Sequence, residues 1–406
     1  MDPAAIGFDR ERLVRIERHL EQRYLAPGKI PGAITVVARR EGPAWVSVLG
    51  KMDLERDRPM REDTIFRIYS MTKPVTSVAL MMLYEEAAFR LDDPVQRFLP
   101  EWRSPRVFRA GEHPRFLTEP AARRITVRDL LTHTAGLTYG FMQRTNVDAA
   151  YRKLGIGTGG ATFPGTLAEM VELLGRLPLE FSPGTAWNYS VATDVLGHLV
   201  ERISGTTLDV FFRERITGPL GMVDTDFHVP PEKADRLAAC YERGPAKELR
   251  LQDDPRTSRY LEPPVFLSGG GGLVSTAADL LRFYRMLLRG GELDGVRILS
   301  RKTLELMARN HLPGGADMAS LSVAPFGEVG FEGTGFGLGF AVTLDPVRAG
   351  VVGSPGELAW GGAASTLFSV DPAEDLLWIF LTQLMPSRTF DFRSQIKALV
   401  YGALAD

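Results

Sequence analysis

The chain predicts an α/β fold of the α+β kind: one antiparallel sheet built from both termini and flanked by helices, with a large, mainly helical domain inserted between. Three observations predict it. Short apolar runs of strand character occupy residues 32–39 and 44–49 and return only at 337–343, 365–370 and 376–381. The stretch from about 75 to 264 is helical pattern and loop, broken at Asp93-Pro94, Phe163-Pro164-Gly165 and Ser182-Pro183-Gly184. Amphipathic helical patterns lie near both ends.

The first element is a helix carrying Leu13, Ile16, Leu20 and Tyr24 on one face. Two strands follow, joined by a short charged turn. A brief apolar run over 64–69 leads into Ser70, after which Val75, Val78, Ala79, Met82 and Leu83 recur at helical spacing. Pro74 is tolerated only in a first helical turn, so the helix starts very near Ser70. The run Gly269-Gly270-Gly271-Gly272 lacks the lysine of a phosphate loop and reads as a tight turn before a helix capped near Ser275 or Thr276. Asp371-Pro372-Ala373-Glu374-Asp375 suits the turn of an antiparallel hairpin between the last two strands. A closing helix carries Phe392, Ile396, Leu399 and Val400. The expected division is a sheet domain from 1–74 and 265–406 and a helical domain from 75–264. Ser70 lies at their junction, where clefts commonly form.

With 44% hydrophobic and 24% charged residues in 406, the composition is that of an ordinary globular chain with enough apolar residues for a sizeable core. A formal charge of −2 gives no electrostatic case for nucleic acid or anionic membranes. The Arg-rich stretch (Arg103, Arg106, Arg109, Arg115, Arg123, Arg124) is interrupted by acids and prolines and reads as solvated surface. A single cysteine, Cys240, excludes an internal disulfide and Cys-pair zinc sites, and reads as a buried, inert thiol. The N-terminus has no basic-then-apolar signal architecture, and no apolar run approaches the ~20 residues of a membrane span, so a cytoplasmic enzyme is expected. The histidines at 113, 198, 228 and 311 show no paired metal spacing, and neither a metal nor an organic cofactor is expected.

Ser70-Met71-Thr72-Lys73 carries the chemistry. A serine and a lysine three apart on a helix share a face, with Cβ atoms about 5–6 Å apart. That supplies a nucleophile and a proton acceptor in one turn, and a serine hydroxyl needs such a base beside it. The same spacing recurs at Ser394-Gln395-Ile396-Lys397, but inside the closing amphipathic helix, where a structural reading is preferred. Tyr189, in a loop before the helical pattern of Val195, Leu196, Leu199 and Val200, can point into a cleft. Its phenol, with an ordinary pKa of about 10, becomes easier to ionise near an ammonium and can shuttle protons. Trp360-Gly361-Gly362-Ala363 precedes the strand at 365–370. Its two glycines permit close backbone approach, and the following N–H can aim at a carbonyl oxygen. His133, in Thr132-His133-Thr134-Ala135-Gly136-Leu137, reads as a loop brace rather than a base.

In order, Ser70-x-x-Lys73, Tyr189 and a strand-edge triplet resemble the serine β-lactamase and penicillin-binding-protein superfamily, whose signatures are S-x-x-K, a Y-x-N or S-D-N element, and K-T-G. The phrases around His133 and Gly269–Thr276 resemble its class C-like branch. The resemblance runs from about residue 8 to 404. The tyrosine element here is Tyr189-Ser190-Val191, without the asparagine. The strand triplet is Trp360-Gly361-Gly362, without the lysine and hydroxyl that bind a lactam carboxylate. Both features are similar to the family VIII carboxylesterases. The resemblance implies a β-lactamase-like fold, Ser70 as nucleophile, Lys73 and Tyr189 as acid/base pair, the N–H groups of Ser70 and Ala363 as oxyanion hole, and a substrate cleft lined by Trp360, Gly361 and Gly362.

The expected activity is hydrolysis of short-chain or other small uncharged carboxylic esters through an acyl-enzyme. The partner expected is a small-molecule ester, with no nucleic acid and no membrane. A β-lactamase or D-amino-acid peptidase, an acyltransferase to a small alcohol, and a catalytically silent scaffold are the alternatives.

Overall fold

The computed structural model describes residues 6–42, 44–323 and 330–406. Its centre is an eight-stranded sheet. The first half supplies β1 (Gly32–Arg39), β2 (Trp45–Asp53) and β3 (Arg58–Pro59); the last third supplies β4 (Thr334–Phe336), β5 (Ala341–Thr343), β6 (Leu358–Gly362), β7 (Thr366–Asp371) and β8 (Leu376–Leu381). The spatial order is β4-β5-β6-β7-β8-β1-β2-β3, every neighbouring pair antiparallel. The two ends of the chain meet at β8 and β1, where Val36 faces Ile379 and Val37 faces Trp378.

β1, β7 and β8 are buried along their whole length, which explains why they read as continuous apolar runs rather than alternating ones. Trp378 and Phe380 point to one side, toward α1 (Arg10–Leu20). Leu377, Ile379 and Leu381 point to the other, into the larger core. Leu13, Ile16, Leu20 and Tyr24 are all buried, as the helical spacing predicts, although the last turn over Glu21–Leu25 is a π-turn.

The helix predicted near Ser70 starts with a 3₁₀ turn, Tyr69–Met71, and continues as α2 (Thr72–Glu85). Every residue from Thr72 to Leu83 is buried, so α2 is a central helix enclosed on all sides. It packs on α3 (Ala192–Ser204), which ends at Gly205 in the left-handed conformation (φ 75°). The glycine run turns into α4 (Ala277–Leu288), capped by Thr276, whose hydroxyl accepts from the Asp279 N–H. Tyr284 of α4 stacks on Phe368 of β7, ring centroids 4.1 Å apart. The closing helix α5 (Phe392–Tyr401) packs against α1.

Two readings need correction. The run at 337–343 is not one strand: Gly337–Phe340 form a turn between β4 and β5. Gly339, at φ 109°, rests there against Ser77 of α2, where a Cβ would lie 2.3 Å from the hydroxyl. The stretch read as helix and loop also contains hairpins, at Arg106–Glu112 with Arg115–Pro120 and at Cys240–Arg243 with Leu249–Asp253. The first is largely solvated and carries Arg106, Arg109 and Arg115 exposed, so no buried alternation marks it. Cys240 is buried, and burial pushes its thiol up to about 12. Among the described residues no helix is long and apolar enough to cross a membrane.

Candidate active site

Ser70 sits half-buried in the turn that feeds α2, and the residue before it is strained. Tyr69 has φ 43°, a left-handed conformation costly for a bulky side chain. The chain there is held on both sides. The Ile68 N–H donates to Leu273 O (3.1 Å), and the Leu273 N–H donates to the Thr72 hydroxyl (3.2 Å).

One turn further on, Lys73 is buried, and its ammonium nitrogen reaches three oxygens: Ser70 Oγ at 3.1 Å, Tyr139 Oη at 3.0 Å and the Gly270 carbonyl at 2.7 Å. Three donors therefore meet three acceptors. The Tyr189 hydroxyl donates to Ser70 Oγ at 2.6 Å, and Lys73 Nζ stands 4.6 Å from the Tyr189 ring centroid. The structure thus brings Ser70, Lys73 and Tyr189 together as the spacing and the resemblance anticipate.

Tyr189 is placed by the segment around His133. The Asn188 N–H donates to His133 O, the Asn188 side chain to Leu137 O, and the Val191 N–H to Thr138 O. His133 Nδ1 lies 3.0 Å from Ser190 Oγ, and its ring packs against Tyr189 and Phe336. Burial, aided by the Lys73 charge, pushes the imidazole well below its ordinary range and keeps it neutral. His133 holds the Tyr189 loop, which is the brace its phrase suggested.

Trp360, Gly361 and Gly362 form the end of β6. The two glycines are needed for different reasons: a Cβ on Gly362 would fall 2.3 Å from Ile68 O in the serine turn, whereas one on Gly361 would fall 2.7 Å from Leu367 Cδ2 of the neighbouring strand β7. The close approach is therefore first of all to the chain's own backbone, two residues before Ser70. Ala363 continues from this edge and packs with Tyr69 and Cys240. Trp360 is buried beside Tyr189 (5.4 Å), Phe336 (5.3 Å, edge-on) and Phe331 (6.2 Å, stacked), giving an aromatic wall.

Sequence reasoning missed three groups. Tyr139 lies one residue past the Thr138 contact, and its ring stacks on Phe141. Burial, with Tyr189 and Asp194 adding to it, drives its phenol well above its ordinary range, so it stays neutral. The other two are the Gly270 carbonyl and the buried Asp194, whose Oδ1 accepts from the Gly270 N–H at 3.0 Å. The available signal for Tyr139 was its place in a loop directly after the Thr132-His133-Thr134-Ala135-Gly136-Leu137 phrase, a counterpart to the loop position before a helical pattern that singled out Tyr189.

Sheet, buried helix and serine turn put the protein in the serine β-lactamase and penicillin-binding-protein-like class. The chain belongs to the Beta-lactamase family, whose profile matches residues 18–401. Protein Rv1367c of Mycobacterium tuberculosis is 40% identical over 90% of this chain and 88% of its own length. Esterase EstB of Burkholderia gladioli is 33% identical over 94% of this chain and 93% of its own. Among solved structures, EstCE1, described as a hydrolase with promiscuous acyltransferase activity, superposes with a TM-score of 0.80 at 29% identity, covering 97% of this chain and 99% of the other. The likeness to family VIII carboxylesterases is borne out by the similarity to the esterase EstB and the hydrolase EstCE1.

Proposed function

We propose that the protein is a serine carboxylesterase acting on short-chain or small uncharged esters through an acyl-enzyme on Ser70. The observation that carries this reading is the position of Ser70 Oγ, 2.6 Å from the Tyr189 hydroxyl and 3.1 Å from Lys73 Nζ. The likeness to EstB supports it.

In the first half-reaction Tyr189 enters as a phenolate stabilised by Lys73, and Ser70 Oγ forms a bond to the ester carbonyl carbon while its proton passes to the Tyr189 oxygen of the Tyr189/Lys73 pair. The carbonyl oxygen gains the negative charge and is held by the N–H groups of Ser70 and Ala363; loss of one such donor typically costs about 10²–10³ in rate. The tetrahedral centre collapses, the bond to the alcohol oxygen breaks, and Tyr189 returns the proton to that oxygen. Water then repeats the sequence on the acyl-enzyme and releases the acid.

Trp360 supports ester over lactam. Where the penicillin-binding pattern has a lysine, this chain places an indole in an aromatic wall. A lactam carboxylate thereby forgoes a charge-assisted hydrogen bond, typically worth about 1.5–3 kcal/mol. Acyl transfer to a small alcohol is the second reading, favoured by the likeness to EstCE1, a hydrolase with promiscuous acyltransferase activity.

Rates on p-nitrophenyl esters of graded length beside nitrocefin test the ranking. Higher kcat/KM on the esters is expected, and a faster reaction with nitrocefin would overturn it. Ser70→Ala should abolish ester turnover, and retained turnover would remove Ser70 from the mechanism. Adding a small alcohol and measuring the ester formed against acid released separates transfer from hydrolysis.

A further inference from the structure

We propose that Asp194 is a positioning residue of the acylation site: its buried carboxylate is the counter-charge of Lys73, communicated through Gly270. The proposal rests on the acyl-enzyme reading above and assigns a proton within it.

Asp194 lies in the first turn of α3, five residues after Tyr189, and is 4% exposed. Its Oδ1 accepts from the Ser268 hydroxyl at 2.6 Å and from the Gly270 N–H at 3.0 Å. The carbonyl of the same glycine accepts from Lys73 at 2.7 Å. One residue is thus gripped by an anion at its N–H and a cation at its C=O. Only glycine allows it, since a Cβ on Gly270 would sit 2.7 Å from Asp194 Oδ2.

A carboxylate out of water needs a compensating charge. Burial pushes the Asp194 carboxyl up, while Ser268, Lys73 and the Gly270 N–H oppose that push. The elements packed around it supply Lys73 from α2, Tyr139 after the His133 segment, and Tyr189 before α3. Tyr139 is held as a neutral phenol, with Asp194 contributing. His133 is neutral, and His198, one turn along α3, pairs with Glu201 at 3.1 Å. Lys73 is therefore the cation that balances Asp194, and by reciprocity Asp194 favours the ammonium form of Lys73. The consequence is a division of labour: Lys73 remains charged, and Tyr189 takes the Ser70 proton.

The loop is also anchored by a neutral contact, Thr76 Oγ1 to Gly269 O at 2.7 Å, which separates charge from position. Asp194→Asn keeps an acceptor for Ser268 and Gly270 but removes the charge. The protonated site is then less stable, so both limbs of the kcat/KM–pH profile should move to lower pH, by about one unit. Ser268→Ala removes a donor that opposes the upward push of burial on the Asp194 carboxyl, so Asp194 is more readily protonated and the limbs should move the same way by less; it carries the test if Asp194→Asn does not fold. Thr76→Val should lower kcat with the limbs unmoved. Unmoved limbs in Asp194→Asn, or in Ser268→Ala where only that variant folds, overturn the proposal, as does an equal shift in Thr76→Val. If Ser70→Ala is inactive while these limbs stay put, only the role of Asp194 falls. Turnover in Ser70→Ala would remove the acyl-enzyme reading itself.

Discussion

The α-carbon of Gly362 faces the Ile68 carbonyl so closely that a β-carbon built on it would stand 2.3 Å from that oxygen. The end of β6 and the turn bearing Ser70 are therefore in close backbone contact, with no room for a side chain between them. Gly362→Ala must push the strand edge outward by about 1 Å, a displacement that commonly costs on the order of 10²-fold in rate when it misplaces a reacting group. The expected result is a fall of about 10²–10³ in kcat on p-nitrophenyl butyrate, the loss typical of one oxyanion donor. KM should change far less, because the aromatic wall at Trp360 precedes the displaced residue. Steady-state kinetics beside a thermal melt checks this; unchanged kcat in a folded variant would detach Ala363 from the oxyanion site.

Tyr139→Phe deletes the oxygen that accepts from Lys73 at 3.0 Å and leaves a ring that can still stack on Phe141. One buried N–H of Lys73 then lacks its partner, a penalty of about 1–3 kcal/mol. If that cost falls on the transition state, kcat/KM drops about 10–100-fold with the fold intact. The rate of fluorophosphonate labelling at Ser70 should fall in parallel. Wild-type labelling in the variant would make Tyr139 a bystander.

Which parts of this site are legible before folding follows from how each is encoded. Ser70 and Lys73 are one helical turn apart, so local geometry pairs them, and Pro74 marks the turn in which they lie. Tyr189 and Trp360-Gly361-Gly362 are visible as side-chain types in strand- and helix-edge contexts. Gly270 contributes a carbonyl, which every residue has, so nothing in its side chain announces the role. Asp194 and Tyr139 act through contacts 76 and 66 residues away in sequence, which no local period reports. The sheet was readable because β1, β7 and β8 are buried on both faces. The Arg106–Glu112 hairpin was not, because a solvated ribbon has no hydrophobic face to repeat.

His133 links the site to the pH dependence of stability. Burial and then Lys73 hold its folded-state pKa well below the ordinary 6.5. A depressed folded value means that the unfolded chain takes up a proton which the native protein refuses. The stabilisation is thus complete above about pH 6.5 and is lost as pH falls below it, at up to about 1.4 kcal/mol per pH unit. His311, lowered mainly by its own burial, acts in the same direction. Urea midpoints at pH 7.5, 6.5 and 5.5 should decline more steeply in the wild type than in His133→Asn. Parallel curves would show that His133 titrates normally in the fold.

The second S-x-x-K spacing has a different use. Lys397 turns its ammonium to Glu357, just before β6, with Nζ 2.5 Å from Oε2 and the two side chains 7% and 1% exposed. Ser394 lies in the first turn of the same helix, its N–H donating to the Asp391 cap at 3.0 Å. Ser369 also donates to Glu357, so this carboxylate is committed to the join between α5 and the sheet. Removing one partner of a buried pair strands the other, typically at about 3–5 kcal/mol, whereas replacing both with uncharged groups of similar size is often neutral. Lys397→Ala should accordingly lower the urea midpoint sharply, and Lys397→Met combined with Glu357→Gln should recover most of the loss. Ser394→Ala should leave ester turnover unchanged, because the helix holds that serine away from Ser70's partners. A loss of turnover in folded Ser394→Ala, or no loss of stability in Lys397→Ala, would contradict the structural reading of this pair.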